Sequence, residues 1–306
     1  MQRSATQAVL FAGLLLSCAQ AHAQAGNAGM AFLKLGVSGR GIAMGEAMSA
    51  IANAAGAVHY NPAGVLAPGN GTTQFLLMHR EWIQDVRTQF LGASVQLDGD
   101  NALGVAINTT TVSDIEIRTR PGTAEGSFTS RDFSFGVAYA RRLSDHLKLG
   151  LGAKFLFEKI FVDEASGFAV DLGAQYRTPL EGLYVGLAFA NLGSVSVMRN
   201  EKLTLPSLLR AGPAFSLQLE DLNSRLTSAA DIVYVFPEKR ATLGFGTEVL
   251  FNNIVALRAG YQPGTHARGF SGGIGVQYHL FALDYAIIPL SANLGSGHAV
   301  TLTITF

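Results

Sequence analysis

The chain has 306 residues, of which 48% are hydrophobic and only 14% charged, with 22 Lys and Arg against 22 Asp and Glu. Zero formal charge excludes the basic excess of a nucleic-acid binder, and 14% charge falls well below the roughly 25% of ordinary soluble domains. No stretch after the N-terminus reaches the roughly 18 uninterrupted apolar residues of a membrane helix, so an apolar chain with 35 glycines points to a membrane crossed by strands.

Arg3 ahead of the apolar run 8–16, followed by Ala21-His22-Ala23, predicts a cleaved signal peptide over 1–23. The run is too short to anchor in a bilayer as a helix. Cys18 is the only cysteine, so the mature chain is expected to have no disulfide and no thiolate nucleophile. Leu15-Leu16-Ser17-Cys18 resembles a lipoprotein cleavage box, with bulky Leu16 against it, and lipidation at Cys18 is the alternative.

Residues 24–71 are rich in small side chains and do not alternate, with short helical turns suggested near 42–44 and 48–57. This segment is expected to fold into the lumen as a hatch, followed by a barrel over 72–306. In Gly39-x-Gly41-x-x-x-Gly45 the spacing is wrong for a dinucleotide fingerprint, and the strand–helix context is missing.

From Thr73 onward apolar and polar residues alternate with period two. Leu147, Leu149, Leu151, Ala153, Phe155 and Phe157 share one face, while Lys148, Gly150, Gly152, Lys154 and Glu158 share the other. The first set suits lipid and the second a lumen. Strands are predicted at 73–82, 87–98, 101–111, 131–142, 147–158, 168–177, 183–192, 207–218, 226–236, 240–251, 254–262, 269–278, 281–289 and 298–306. Fourteen is an even number, as a single-chain bacterial barrel has. The fold class is thus all-β: a 14-stranded antiparallel transmembrane barrel with an N-terminal hatch in its lumen. Tight links alternate with longer ones at 112–130, 159–167, 193–206, 263–268 and 290–297. Short turns face the periplasm in such barrels, which puts both termini there.

Lys154, Asp171, Arg210, Asp231, Glu248, Arg258 and Asp284 all fall on lumen-facing registers. Both signs are present, which favours salt bridges holding the hatch over an ion-selective pore. Pro213 cannot donate to a ladder and is expected to mark an irregularity in the wall. Trp82, Phe157, Tyr176, Tyr184, Tyr234, Phe251, Tyr261 and Tyr278 fall near strand ends, as interfacial girdles do. The mature histidines at 59, 79, 146, 266, 279 and 298 show no metal-ligand spacing, and no metal or cofactor is expected. His298 with Ser296 or Ser291 is the sole pair worth weighing as a hydrolytic base and nucleophile. It lacks an orienting third group, so no enzymatic site is expected.

Several blocks carry a resemblance to a known family. Residues 32–37 (Phe-Leu-Lys-Leu-Gly-Val), Gly39-Arg40-Gly41, Met44-Gly45-Glu46-Ala47 and Tyr60-Asn61-Pro62-Ala63-Gly64 resemble the hatch of the PorV/PorQ family, a branch of the FadL-like outer-membrane proteins. Residues 81–87, 205–210, Leu283-Asp284-Tyr285-Ala286, Asn293-Leu294-Gly295 and His298 extend the resemblance along the mature chain. Relatives often carry an acidic pair where this chain has Asn53-Ala54-Ala55-Gly56. The resemblance implies a bacterial outer-membrane location and a role in protein secretion of the type IX kind, binding exported cargo or partner proteins. The wider FadL branch implies the alternative, passage of hydrophobic small molecules. Asn61-Pro62-Ala63-Gly64 is expected to be structural: Pro62 fixes its own φ, Asn61 bonds nearby backbone and Gly64 adopts dihedrals that close a bend.

Overall fold

The computed structural model describes residues 28–67, 73–83, 85–264, 268–291 and 294–306. The predicted signal peptide 1–23 with Cys18 lies outside the described residues, as do 24–27, 68–72 at the predicted hatch–barrel junction, Gln84, His266 and Asn293.

The strands, in chain order, are β1 (Thr73–Glu81), β2 (Val86–Gln96), β3 (Asn101–Ile117), β4 (Gly126–Arg142), β5 (Leu147–Ile160), β6 (Asp163–Arg177), β7 (Leu183–Val195), β8 (Val197–Met198), β9 (Glu201–Lys202), β10 (Leu208–Leu219), β11 (Ser224–Val235), β12 (Arg240–Phe251), β13 (Val255–Tyr261), β14 (Phe270–Tyr278), β15 (Phe281–Pro289) and β16 (Ser296–Thr305). Fourteen of them close into one antiparallel barrel; β8 and β9 form a separate hairpin in the link between β7 and β10. The seam joins β1 to β16, and at its edge Thr73 and Phe306 exchange both backbone hydrogen bonds, at 2.9 and 3.2 Å.

The alternation selects the register. On β5 Leu149, Leu151, Ala153 and Phe155 are exposed on the outer face, while Gly152, Lys154 and Leu156 are buried. Sliding the strand by one residue would put Lys154 into hydrocarbon. Leu77, Leu91, Val105, Val137, Leu172, Leu257 and Leu283 continue the exposed apolar belt around the outside.

At the long-link end the wall is taller than the sequence suggests. β3, β4, β5 and β6 run 17, 17, 14 and 15 residues, beyond the roughly 9–11 that span a bilayer. The expected loop 112–130 is therefore only residues 118–125, the expected loop 159–167 shrinks to 161–162, and 193–206 contains the β8–β9 hairpin. Beyond the hydrocarbon both faces of a strand are wet, so the ladder continues after the hydropathy pattern has faded. Pro213 falls at an interruption of the ladder, as expected, but a local one. The register of β10 is the same on both sides of it, and only Gly212 and Pro213 drop out of the ladder with β11.

Residues 28–66 pack on the inner face of the wall. Helix α1 (Gly39–Ala43) lies against β13–β16, helix α2 (Ala54–Tyr60) against β1–β4, and the 3-10 turn Pro62–Val65 against β3–β6. The segment runs the length of the lumen. Gly29 donates its N–H to the Thr204 carbonyl at the long-link end (3.0 Å), whereas the Leu66 carbonyl accepts from Lys148 near the short-turn end (2.9 Å). Ala28–Met30 thus lie at the end opposite Phe306, while the predicted mature N-terminus near 24, expected at the end of Phe306, lies outside the described residues.

Candidate functional site: the occupied lumen

All seven charged residues placed inward by the alternation are buried, each 8% exposed or less. They do two different jobs. Glu248 on β12 takes a bidentate pair from Arg40 of α1 (2.8 and 2.9 Å) and a third bond from Arg258 on β13 (2.6 Å), which also reaches Asp284 on β15 at 2.6 Å. Two cations and two anions thus form one neutral chain, the arrangement in which buried charges are tolerated. Asp231 on β11 accepts from the Met48 and Ser49 N–H groups (2.9 and 2.8 Å) and from the Ser49 hydroxyl (2.5 Å). Arg210 on β10 donates to the Glu46 carbonyl at 3.2 Å and lies over the Tyr60 ring.

Among the described residues, Lys154 and Asp171 make no hydrogen bond to the lumenal segment. They bond each other at 2.7 Å and both hold Asn191, whose side-chain oxygen accepts from Lys154 (3.0 Å) and whose N–H donates to Asp171 (2.8 Å). Asn191 has φ +60° and sits at a register shift between β6 and β7. Its left-handed backbone is one that asparagine tolerates, and the buried ion pair stabilises this bulge in the wall.

Further bonds fasten the segment around the circumference. Gly39 donates to Thr301 on β16 (2.8 Å), Ser271 on β14 donates to the Ala43 carbonyl (3.1 Å), Gln175 on β6 donates to the Ala52 carbonyl (2.9 Å), and Ala55 donates to Gln74 on β1 (3.3 Å). Lys34 pairs with Glu238 in the β11–β12 link. Between α1 and α2, Glu46 accepts from the Tyr60 hydroxyl at 2.9 Å, and that hydroxyl accepts from the Val37 N–H at 3.1 Å. Burial, reinforced by Glu46, raises the Tyr60 pKa well above its ordinary value, which keeps the hydroxyl a donor.

Asn61 caps the Pro62–Val65 turn by accepting the Ala63 N–H at 3.2 Å, and its amide donates to the Ser49 carbonyl (2.8 Å) and to the Ala174 carbonyl of β6 (3.0 Å). The motif therefore fastens the turn to the wall as well as shaping it. Gly64 is explained by space, not by dihedrals. Its φ is not positive, but a Cβ there would stand 2.0 Å from the Ala52 carbonyl oxygen. Several wall glycines have the same cause: a Cβ on Gly150 would come within 2.2 Å of the Pro62–Ala63 backbone, and one on Gly173 within 2.1 Å of Asn61. Glycine inside a strand marks such close backbone approach.

Several predicted positions fall elsewhere than expected. Trp82 does not join an outer girdle; it packs partly buried beside Ile42, Ala286 and Ile288, with the guanidinium groups of Arg80 and Arg268 at 4.2 and 4.6 Å from its ring. Tyr184 packs against Met44, Ala47 and Ala50 of the lumenal segment, while Phe251, Tyr261 and Tyr278 do take exposed outer positions. His298 lies on the outer face with Nδ1 2.7 Å from the Tyr285 hydroxyl, a tie to tyrosine in place of a serine. Sequence reasoning missed Arg40, Ser49, Gln175, Asn191 and Thr301 as fastenings. Arg40 carried a signal in the Gly39-Arg40-Gly41 block, and Gln175 and Thr301 one in their inward-facing registers, whereas Ser49 and Asn191 carried none.

Between the segment and the short-turn end lies a cavity of about 650 Å³. Its inner boundary includes Arg40, Ile51 and Asn53, and its outer rim Arg142, Lys148, Arg177 and Arg225.

A fourteen-stranded closed wall, apolar outside and charged within, defines an outer-membrane β-barrel. Among solved structures it is similar to the Ralstonia pickettii toluene transporter TbuX (15% identity, 88% of this chain and 97% of that one, TM-score 0.59), the Pseudomonas putida toluene transporter TodX (13%, 88% and 97%, 0.61) and a Pseudomonas aeruginosa FadL homologue (12%, 88% and 98%, 0.52). At these identities the likeness shows the fold alone. Residues 55–306 match the family of the type IX secretion system membrane protein PorP/SprF, and the chain belongs to that family. The resemblance to PorV/PorQ is thus met at the level of type IX membrane proteins, with PorP/SprF as the family that matches. No curated protein matches the chain.

Proposed function

We propose that the protein works in type IX secretion by holding partner proteins on a barrel closed by residues 24–71, its hatch, and not by conducting solutes. The observation that carries this reading is the fastening of residues 28–66 to the wall through Glu248, Asp231, Arg210 and Asn61. A conduit would need that segment to leave. The tall β3–β6 wall at the long-link end offers the surface for exported cargo, with Phe161 and Val162 exposed at its β5–β6 tip. Short turns facing the periplasm put this surface outside the cell.

Two experiments test the reading. Deleting residues 25–66 should leave a barrel that inserts, because the outer belt is intact, but raises single-channel conductance in planar bilayers; equal conductance of the intact protein would sink the hatch. Cysteines at Thr119 and Met198 should react with an impermeant thiol reagent on whole cells and one at Asp145 only after the outer membrane is broken. The reverse pattern would invert the orientation. A second reading, passage of hydrophobic molecules through the wall, has one observation in its favour, the unpaired step at Gly212 and Pro213. Uptake of a radiolabelled hydrocarbon that depends on Pro213 would favour it.

A further inference from the structure

The cavity at the short-turn end is lined by more cations than its own carboxylates match. Of the ionisable groups lining it, Arg40 and Arg258 are matched by Glu248 and Asp284. What is left is Arg142, Lys148, Arg177 and Arg225 against Asp145. Arg142 leans on Asp100 at 3.8 Å, and Lys148 bonds the Leu66 carbonyl. Arg177 and Arg225 are exposed and have no ion-pair partner among the described residues. They stand at the short-turn ends of β6 and β11, with the mouth between them.

We propose that this cup receives an acidic, extended peptide segment of a periplasmic partner. About 650 Å³ is within the range of pockets that enclose a ligand. Guanidinium groups recognise carboxylates by paired, directional hydrogen bonds. The walls between them carry neutral hydrogen-bonding groups, Thr227, Gln277 and Thr303 among them, which suit a peptide backbone better than a hydrocarbon. Because the inner boundary is hatch residues, an occupant would touch the hatch directly. The assignment to a periplasmic partner rests on the orientation given above; the cup's preference for acidic peptide does not.

The test uses the full-length protein in nanodiscs of zwitterionic lipid, with a fluorescent octaglutamate peptide as probe and octalysine and a Gly-Ser octapeptide as controls. Octaglutamate should bind alone, weaken as salt rises, and protect a cysteine placed at Thr303 from a thiol reagent. Arg177→Gln with Arg225→Gln should reduce its affinity at least tenfold, while Arg118→Gln at the other end changes nothing. Equal binding to the double variant, binding without protection at position 303, or displacement by phosphatidylglycerol added to the nanodisc would each overturn the peptide assignment, the last in favour of an anionic lipid. On cells, Arg225→Cys should be labelled only after the outer membrane is broken. Labelling of intact cells would overturn the periplasmic partner through its orientation, whatever octaglutamate does.

Discussion

The two sides of the lumen share one device and differ in another: wall glycines admit the segment's backbone on both, Gly244, Gly246 and Gly260 against residues 44–45 and Gly150 and Gly173 against 61–63, but the carboxylates of Asp231 and Glu248 reach in on one side alone. On the β10–β15 side charged side chains reach in, with Asp231 gripping the 48–49 backbone and Glu248 gripping Arg40. On the β1–β6 side the backbones themselves touch, because Gly150 and Gly173 remove the side chains that would keep them apart, and Val58, Val65, Phe90 and Ala106 fill the remaining space. The first side adds charge balance to close packing, while the second depends on volume and neutral hydrogen bonds. A segment clamped both ways should fail in two distinguishable manners.

The largest effect is expected from Glu248→Ala, which leaves Arg40 and Arg258 facing each other without the carboxylate between them. Losing one partner of a buried ion network typically costs about 3–5 kcal/mol. Trypsin should then cut at Arg40 in the folded barrel, and resistance equal to the parent would show that charge does not hold this side. Gly150→Leu attacks the other side by volume, driving a side chain into the Pro62–Ala63 backbone. Overpacking of this kind costs about 3 kcal/mol, and added salt should not change it, in contrast to Glu248→Ala. If both variants respond to salt alike, the two-sided description is wrong.

Asn61→Ala tests the joint between the sides, since its amide bridges the Ser49 and Ala174 carbonyls. Two buried acceptors lose their donor, for a loss of about 2 kcal/mol in thermal or urea unfolding of the lumenal segment. An unchanged midpoint would reduce the motif to a turn. The smallest effect concerns His59, whose pKa is held well below 6.5 by burial first and then by Lys154 and Arg210. The unfolded segment takes up a proton below pH about 6.5 that the folded one refuses. The stability of the lumenal segment should therefore be flat above that pH and fall below it, and His59→Gln should flatten the fall between about pH 7.5 and 5.5. A slope that persists in the variant assigns the titration elsewhere.

Much of the wall was legible, because lipid outside and polar contacts inside impose opposite demands on alternate residues. All fourteen barrel strands and the burial of Lys154, Asp231 and Glu248 follow from that contrast. It gives out where lipid does, and so the upper parts of β3–β6 read as loops. Trp82 was misplaced for a related reason: a strand-end position says nothing about side, and its partners Ile42 and Arg268 are remote in sequence. The lumenal glycines were visible but looked like filler for a wet interior, since the backbone that crowds them comes from residues 44–63. Asn191 belongs to no periodic pattern; its role appears only when β6 and β7 are paired.

The seam between β1 and β16 has a kinetic consequence. Neighbouring strands elsewhere in the barrel are joined through links or, at β7 and β10, across a small hairpin, so each can zip onto the last as soon as it is available. Thr73 and Phe306 instead meet across roughly 230 residues, and closing a loop that long costs about 3 kcal/mol more entropy than closing a 10-residue hairpin. Closure is therefore the late, slow event of folding, and until it happens the chain is an open sheet with two unpaired edges. The lumenal segment, residues 28–66, precedes β1 in the chain and is already present when that happens. By bridging β1, β6, β11 and β16 from within it serves as a mandrel on which the sheet curls, so loosening its grip should slow barrel closure before it lowers the stability of the finished wall.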